Sequence, residues 1–183
     1  MNFKLVFEQL LKRFHEHNIR YALIGGFALG AQGVSRATID IDFLVHLDDM
    51  SRIHAILCEQ GYERRYQSEN VSMYISPLNE FGEVDFLHAF RENSVNMLQR
   101  AREMRIFDGS ITVKVAQVED LIGLKVQAMA NDESRRTRDL ADIESLLEMH
   151  QSLIDWDRVE NYFSLFRFDD LFLQLKRKFG HAQ

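Results

Sequence analysis

The chain reads as α/β: a small mixed β-sheet with helices packed on it, followed by a C-terminal helical bundle. Three observations predict this. An apolar run at residues 21–24 meets Gly25-Gly26, passes through a small-residue helical stretch and returns as a second strand into Phe43-Leu44-Val45. Alternating segments separated by turn signals at 67–70, 79–82 and Asp108-Gly109 supply further strands. From Val118 onward strand-like runs give way to capped helical periodicity. The boundary is therefore expected near residue 116, with a sheet-bearing domain over 1–116 and a helical region over 117–183 packed on it.

In order along the chain, Phe3, Val6, Phe7, Leu10, Leu11 and Phe14 recur at the spacing of an amphipathic helix that packs on the sheet, and Asn18 stops it before the first strand. The second strand runs through residues 39–47, where Ile39, Ile41 and Phe43 share one face and Asp40 and Asp42 the other. Asp48 or Asp49 is expected to cap a helix that buries Ile53, Ile56 and Leu57 and closes at Gly61. Residues 62–66, 71–75 and 83–87 read as strands, 93–102 as a short helix, and 104–107 with 111–115 as a hairpin. Beyond 118, one helix carries Leu121, Leu124, Ala128 and Met129; a break at 131–134 precedes another with Leu140, Ile143, Leu146 and Leu147. Two last helices over 155–179 are rich in aromatic residues, which suit core packing or a partner surface.

Composition narrows the function classes. The 46% hydrophobic and 27% charged residues of this 183-residue chain are those of a folded globular protein, so disorder is not expected. A net charge of −6 argues against a broad nucleic-acid footprint, although a local patch such as Lys176-Arg177-Lys178 can grip an RNA end as well as serve as a solvated helix terminus. Apolar runs are too short for a membrane span and no signal peptide is evident, so a cytoplasmic location is expected. The single cysteine, Cys58, makes no internal disulfide and is expected to be a small core residue. No cluster of Cys and His points to a metal site, and His46 and His88 read as core or supporting residues.

The chemistry concentrates in the first strand–helix–strand unit. Asp40 and Asp42 stand side by side, and like charges that close call for a divalent cation between them, most simply Mg²⁺; the alternative is the wet face of a half-exposed sheet. Gly25-Gly26 follows a strand and opens a helix, where backbone amides can approach a phosphate without a Cβ in the way. A phosphate cradle followed by a metal-holding pair is the layout that phosphoryl transfer needs.

On Gly25-Gly26 with Ala28, then Gly33, Arg36, Thr38 and Asp40-Ile41-Asp42, the chain resembles the nucleotidyltransferase superfamily, the DNA polymerase beta-like fold. Phe27 stands where many members carry serine, so that backbone amides, Ser35 or Arg36 are left to hold the phosphates. The resemblance implies that residues 1–116 form the catalytic domain, that Gly25, Gly26, Ser35, Arg36 and Thr38 bind an NTP, and that a third carboxylate joins Asp40 and Asp42 on one or two Mg²⁺. Asp85 occupies the matching setting, with Glu83 on the same face as its competitor.

Lys125 falls inside the apolar stripe of its helix. Such a lysine snorkels, or presents a point charge to a phosphate. Arg138 and Asp142 are spaced to pair on a helix surface, whereas Asp139 shares its side with Ile143 and Leu146. The stretch resembles the AbiEii-type branch, which includes toxins of toxin-antitoxin systems. That resemblance implies that Lys125 and Arg138 contact nucleotide phosphates and that Asp139 orients Lys125 or serves near the acceptor. Three functions stay open: nucleotidyl transfer to tRNA or another macromolecule, with a cognate antitoxin as partner; transfer to a small molecule of the aminoglycoside type; and a catalytically silent antitoxin or binding module.

Overall fold

The computed structural model describes residues 1–180. Its strands are β1 (Tyr21–Ile24), β2 (Asp40–His46), β3 (Glu63–Gln67), β4 (Val71–Ile75), β5 (Glu83–Ala89), β6 (Arg102–Ile106) and β7 (Ile111–Val115). The helices are α1 (Phe3–Glu16), α2 (Gly25–Ala31), α3 (Met50–Glu59), α4 (Glu92–Arg100), α5 (Val118–Asn131), α6 (Arg136–His150), α7 (Trp156–Leu165) and α8 (Asp169–Phe179). None of them is long and apolar enough to cross a membrane.

The strands form one mixed sheet in the order β3-β4-β5-β2-β1-β7-β6. β2 lies parallel to β5 and antiparallel to β1, and β1 pairs parallel with β7. The mixture follows from the connections. Short turns close the β3–β4, β4–β5 and β6–β7 pairs as antiparallel neighbours, whereas β2 reaches the parallel β5 only through a long excursion. At the β6–β7 turn Phe107, Asp108 and Gly109 all take positive φ, the left-handed backbone that tight hairpins require.

Two compact units emerge. The first comprises Met1–Ala31 with Arg36–Ala116, and holds the sheet. Its core lies on the face where Ile41, Phe43, Val84 and Phe86 are fully buried. Phe14 meets Phe43 edge-on at 5.4 Å between centroids, and Phe43 stacks on Phe86 at 5.9 Å, so α1 is seated by aromatic contact. Ile39 does not join this face: it precedes the strand and is 80% exposed. Cys58 is also exposed, not a core residue, since α3 turns only Ile53, Ile56 and Leu57 inward.

Asp49 has a different task from capping α3, where its side chain makes no cap hydrogen bond. Fully buried, it accepts from the Arg20 backbone N–H at 2.8 Å, from the Arg20 guanidinium at 2.8 and 3.0 Å, and from Arg52. Arg52 also donates to the His17 carbonyl at 2.8 Å. This clamp joins the end of α1, the entry to β1 and the start of α3.

The second unit comprises Gln32–Ser35 with the chain from Gln117 on. Its helices bury Ile122, Val126, Ile143, Leu146, Leu147, Phe163 and Phe172. α5 is buried around more of its circumference than the expected stripe, because Gly123 lets the Tyr162 ring lie against it. A Cβ there would stand 2.7 Å from the ring. The Tyr162 hydroxyl donates to Asp120 Oδ1 at 2.8 Å, which satisfies an otherwise costly buried carboxylate. The cations of 176–178 close α8, with Lys178 on Glu144 at 3.0 Å and Lys176 over the Phe172 ring.

The Asp49 clamp sets an acid limit. Burial raises the pKa of this carboxylate, but the hydrogen bonds from Arg20 and Arg52 outweigh it and hold the group down at about 2. Its folded-state pKa thus lies below its unfolded value of roughly 3.9, so its contribution is complete above that value and disappears as pH falls through about 2. Urea unfolding from pH 5 to pH 2 should show wild type losing stability more steeply than Asp49→Asn; parallel curves would assign the acid loss to other carboxylates.

Candidate functional site

Strand alternation brings the acidic residues together. In β2, Ile41 and Phe43 point into the core, which leaves Asp40 and Asp42 half-buried on the opposite face. The parallel register then sets Asp42 beside Asp85 and Asp40 beside Glu83. Each of Asp40, Asp42 and Asp85 offers a carboxylate oxygen within 4.8 Å of the other two. Glu83, the competitor for the third place, lies one pair further along the strand and faces Arg65 Nη1 at 3.8 Å.

The donor set fits a hard divalent cation, being three carboxylates with neither sulfur nor imidazole. Asp85 is pushed up to about 7, first by burial and then by the charges of Asp42, Asp40 and Glu83. Repulsion of that kind is what a cation among the carboxylates relieves.

Gly25-Gly26 is adapted to this cluster by close approach. Gly25 takes φ +65°, and a Cβ on it would overlap Asp42 Oδ2. A Cβ on Gly26 would stand 2.6 Å from Thr38 Cβ. The glycine pair therefore lets the β1–α2 turn lie directly against Asp42 and Thr38. Thr38 in turn donates its hydroxyl to Asp40 Oδ1 at 2.8 Å, which fixes one oxygen of that carboxylate. Phe27 belongs to the aromatic cluster, edge-on to Phe3 at 4.8 Å and to Phe7 at 5.1 Å. Its bulk serves α1 packing. Arg36 is half-buried in the same unit, and Ser35 is exposed in the other.

Lys125, Arg138 and Asp139 lie in the helical unit. Lys125 does not snorkel: it is 8% exposed and donates to Asp139 Oδ1 at 2.8 Å and Asp142 Oδ2 at 2.6 Å. Arg135 Nε adds a bond to Asp139 Oδ2 at 2.9 Å. Burial opposes ionisation of Asp139, yet the bonds from Lys125 and Arg135 prevail and lower its pKa. Asp142 is thus part of a buried ion network, not only the surface partner that its spacing from Arg138 suggested; Arg138 itself is exposed. The signal was present in part, since Asp139 and Asp142 are three apart and share a helix face. Their cation is 14 and 17 residues away on another helix.

Two histidines resolve as support. His88 is buried between Ser72 Oγ at 3.0 Å and the Glu69 carbonyl at 2.8 Å, which ties β4 to β5. His46 Nδ1 accepts from the Asp48 backbone N–H at 3.3 Å.

A family model described as uncharacterised nucleotidyltransferase matches residues 3–175. No curated protein matches the chain in sequence. Among solved structures, the antibiotic-resistance factor ANT(2'')-Ia in complex with adenylyl-2''-tobramycin aligns over 89% of this chain and 95% of its own, with TM-score 0.66 and 16% identity. The lincosamide antibiotic adenylyltransferase LnuA, lincomycin-bound, aligns over 79% of this chain and 96% of its own, with TM-score 0.57 and 15% identity. An antigenic nucleotidyltransferase-like protein from Paracoccidioides brasiliensis aligns over 96% and 92%, with TM-score 0.57 and 20% identity. At these identities the likeness is one of fold.

Two substitutions probe the two clusters separately. Gly25→Ala drives a methyl into Asp42 and strains a left-handed residue, so Mn²⁺ affinity by titration calorimetry should drop by about 10- to 100-fold while circular dichroism is unchanged; undiminished affinity would dissociate the glycine from the carboxylate. Lys125→Met leaves Asp139 and Asp142 short of a buried cation and should cost about 3–5 kcal/mol in urea unfolding. A loss under about 1 kcal/mol would show the pair to be solvated.

Proposed function

The chain belongs to the uncharacterised nucleotidyltransferase family, and on that premise we propose that it transfers a nucleoside monophosphate from an NTP to an acceptor hydroxyl, with Mg²⁺ at Asp40, Asp42 and Asp85. The observation that carries this reading is the convergence of those three carboxylates within 4.8 Å beside a glycine turn that leaves no room for a Cβ. Mg²⁺ held there supplies positive charge to the triphosphate and acidifies the acceptor hydroxyl.

The protein's own groups do the rest. Backbone amides at the Gly25-Gly26 turn and the Arg36 guanidinium bind the triphosphate. Thr38 orients Asp40 through its 2.8 Å hydrogen bond. Asp85, which lines the groove beside the cluster, takes the acceptor proton as the hydroxyl oxygen forms its bond to the α-phosphorus. The bond to the β-phosphate bridge breaks, and pyrophosphate leaves with its electron pair.

A small-molecule acceptor is favoured by the scale of the space beside the acidic cluster. A groove of about 390 Å³ is lined by Arg65, Tyr66, Met73, Tyr74, Glu83 and Asp85, and it suits a ligand of one or two rings. The acidic balance of the chain agrees. The AbiEii-like reading, with tRNA as acceptor and Lys125 and Arg138 as further phosphate contacts, rests on the motif resemblance of residues 125–139 and is the alternative.

Incubation with each α-labelled NTP, total RNA and a set of hydroxyl-bearing amines should move label onto the small molecules, with pyrophosphate released. Label on RNA would select the alternative. Asp42→Asn and Asp85→Asn should each lower transfer by at least about 1000-fold, about 4 kcal/mol of barrier, without loss of the folded circular-dichroism spectrum; near-wild-type transfer in either would overturn the assignment.

A further inference from the structure

The sheet carries a second feature on its acidic face. Lateral pairing places Tyr66 opposite Met73, Met73 opposite Asp85 and Asp85 opposite Asp42, so these four side chains form one row on one face. The outer half of the row is apolar and uncovered within this unit: Tyr66 is 52% and Met73 40% exposed. The pairing register shifts between Arg64 and Tyr66, and such a bulge re-aims side chains. Arg65 lies along the same groove, its guanidinium 3.8 Å from the Glu83 carboxylate. That separation is too long for a hydrogen bond and leaves the carboxylate open to a better donor.

Resting on the nucleotidyltransferase reading above, we propose that Tyr66, Met73 and Glu83 form the acceptor subsite and that it takes an amine-bearing, hydroxylated ring compound. An aromatic face accepts the C–H face of a saturated ring and attracts an ammonium. Glu83 offers that ammonium a charged partner in exchange for the long contact with Arg65. Two strand spacings separate Tyr66 from Asp85, about 10 Å. A molecule of one or two rings that rests on Tyr66 therefore brings a hydroxyl to the acidic cluster. A polyanionic acceptor would instead lay phosphates beside Glu83, which stands outside the three cation-holding carboxylates, and like charge repels them there.

The test is titration calorimetry on the full chain with tobramycin and lincomycin as amine probes, with each Mg-NTP titrated separately. Wild type should bind at least one amine probe; Glu83→Gln and Tyr66→Ala should each weaken it by about tenfold or more, and Tyr66→Ala, which removes no charge from the acidic cluster, should keep Mg-NTP affinity within about twofold of wild type. Both positions are solvent-accessible, and circular dichroism checks that the variants fold. Failure of both amines to bind, or equal binding in the variants, overturns the subsite. Weakened binding of an RNA hairpin by Tyr66→Ala, with no amine bound, overturns it in favour of an RNA acceptor. Failure of every Mg-NTP to bind wild type would count against nucleotidyl transfer instead, and the amine titrations would still decide the groove.

Discussion

The pleat of β2 is the constraint from which the acidic centre follows. Ile41 and Phe43 have no exposed surface, and Phe43 is held between Phe14 of α1 and Phe86 of β5. Because side chains alternate, burying those two residues commits Asp40 and Asp42 to the other face. A slip of one residue would drive both carboxylates under α1 and bring Phe43 to the surface, a change that costs several kcal/mol for each uncompensated charge. The parallel ladder to β5 extends the same commitment to Asp85 through Phe86. The acidic face is thus specified by the apolar one.

Charge in the helical unit is handled in the opposite way. The acidic centre gathers three carboxylates within 4.8 Å, a donor set that fits a cation, whereas the buried carboxylates of α5 and α6 are met by cations and a hydroxyl of their own unit. Lys125 and Arg135 answer Asp139 and Asp142, and Tyr162 answers Asp120. Because each of these charges is paired, removing one partner would strand a buried charge, which favours the helix arrangement that keeps them paired. Gly123 has a related role, since its missing side chain sets how closely the Tyr162 ring lies against α5.

The nucleotidyltransferase fold is shared by ANT(2'')-Ia, LnuA and this chain at identities of 15–16%. At that distance the fold is shared while the surface adjoining the acidic cluster is free to vary. In this chain that adjoining surface is the β3–β4–β5 end of the sheet, where an aromatic ring and a loosely paired carboxylate stand next to Asp85. On the proposed function, acceptor choice and phosphoryl chemistry are separable tasks of one sheet face.

The sequence by itself determined the elements and the local pairings of role: the strand–Gly-Gly–helix–strand unit, Asp40 and Asp42 on one face, and the aromatic stripe of α1. These are set by periods of 2 and 3.6 residues, which a linear string displays. Where tertiary contact decides, local pattern fell short. Cys58 and Ile39 carry apolar character but lie exposed, Asp49 serves Arg20 and Arg52 instead of a helix cap, and Asp142 meets Lys125 across two helices. Only the folded structure could decide those, because an ion pair or a buried face depends on which distant segment arrives beside it, and spacing along the chain carries no record of that arrival.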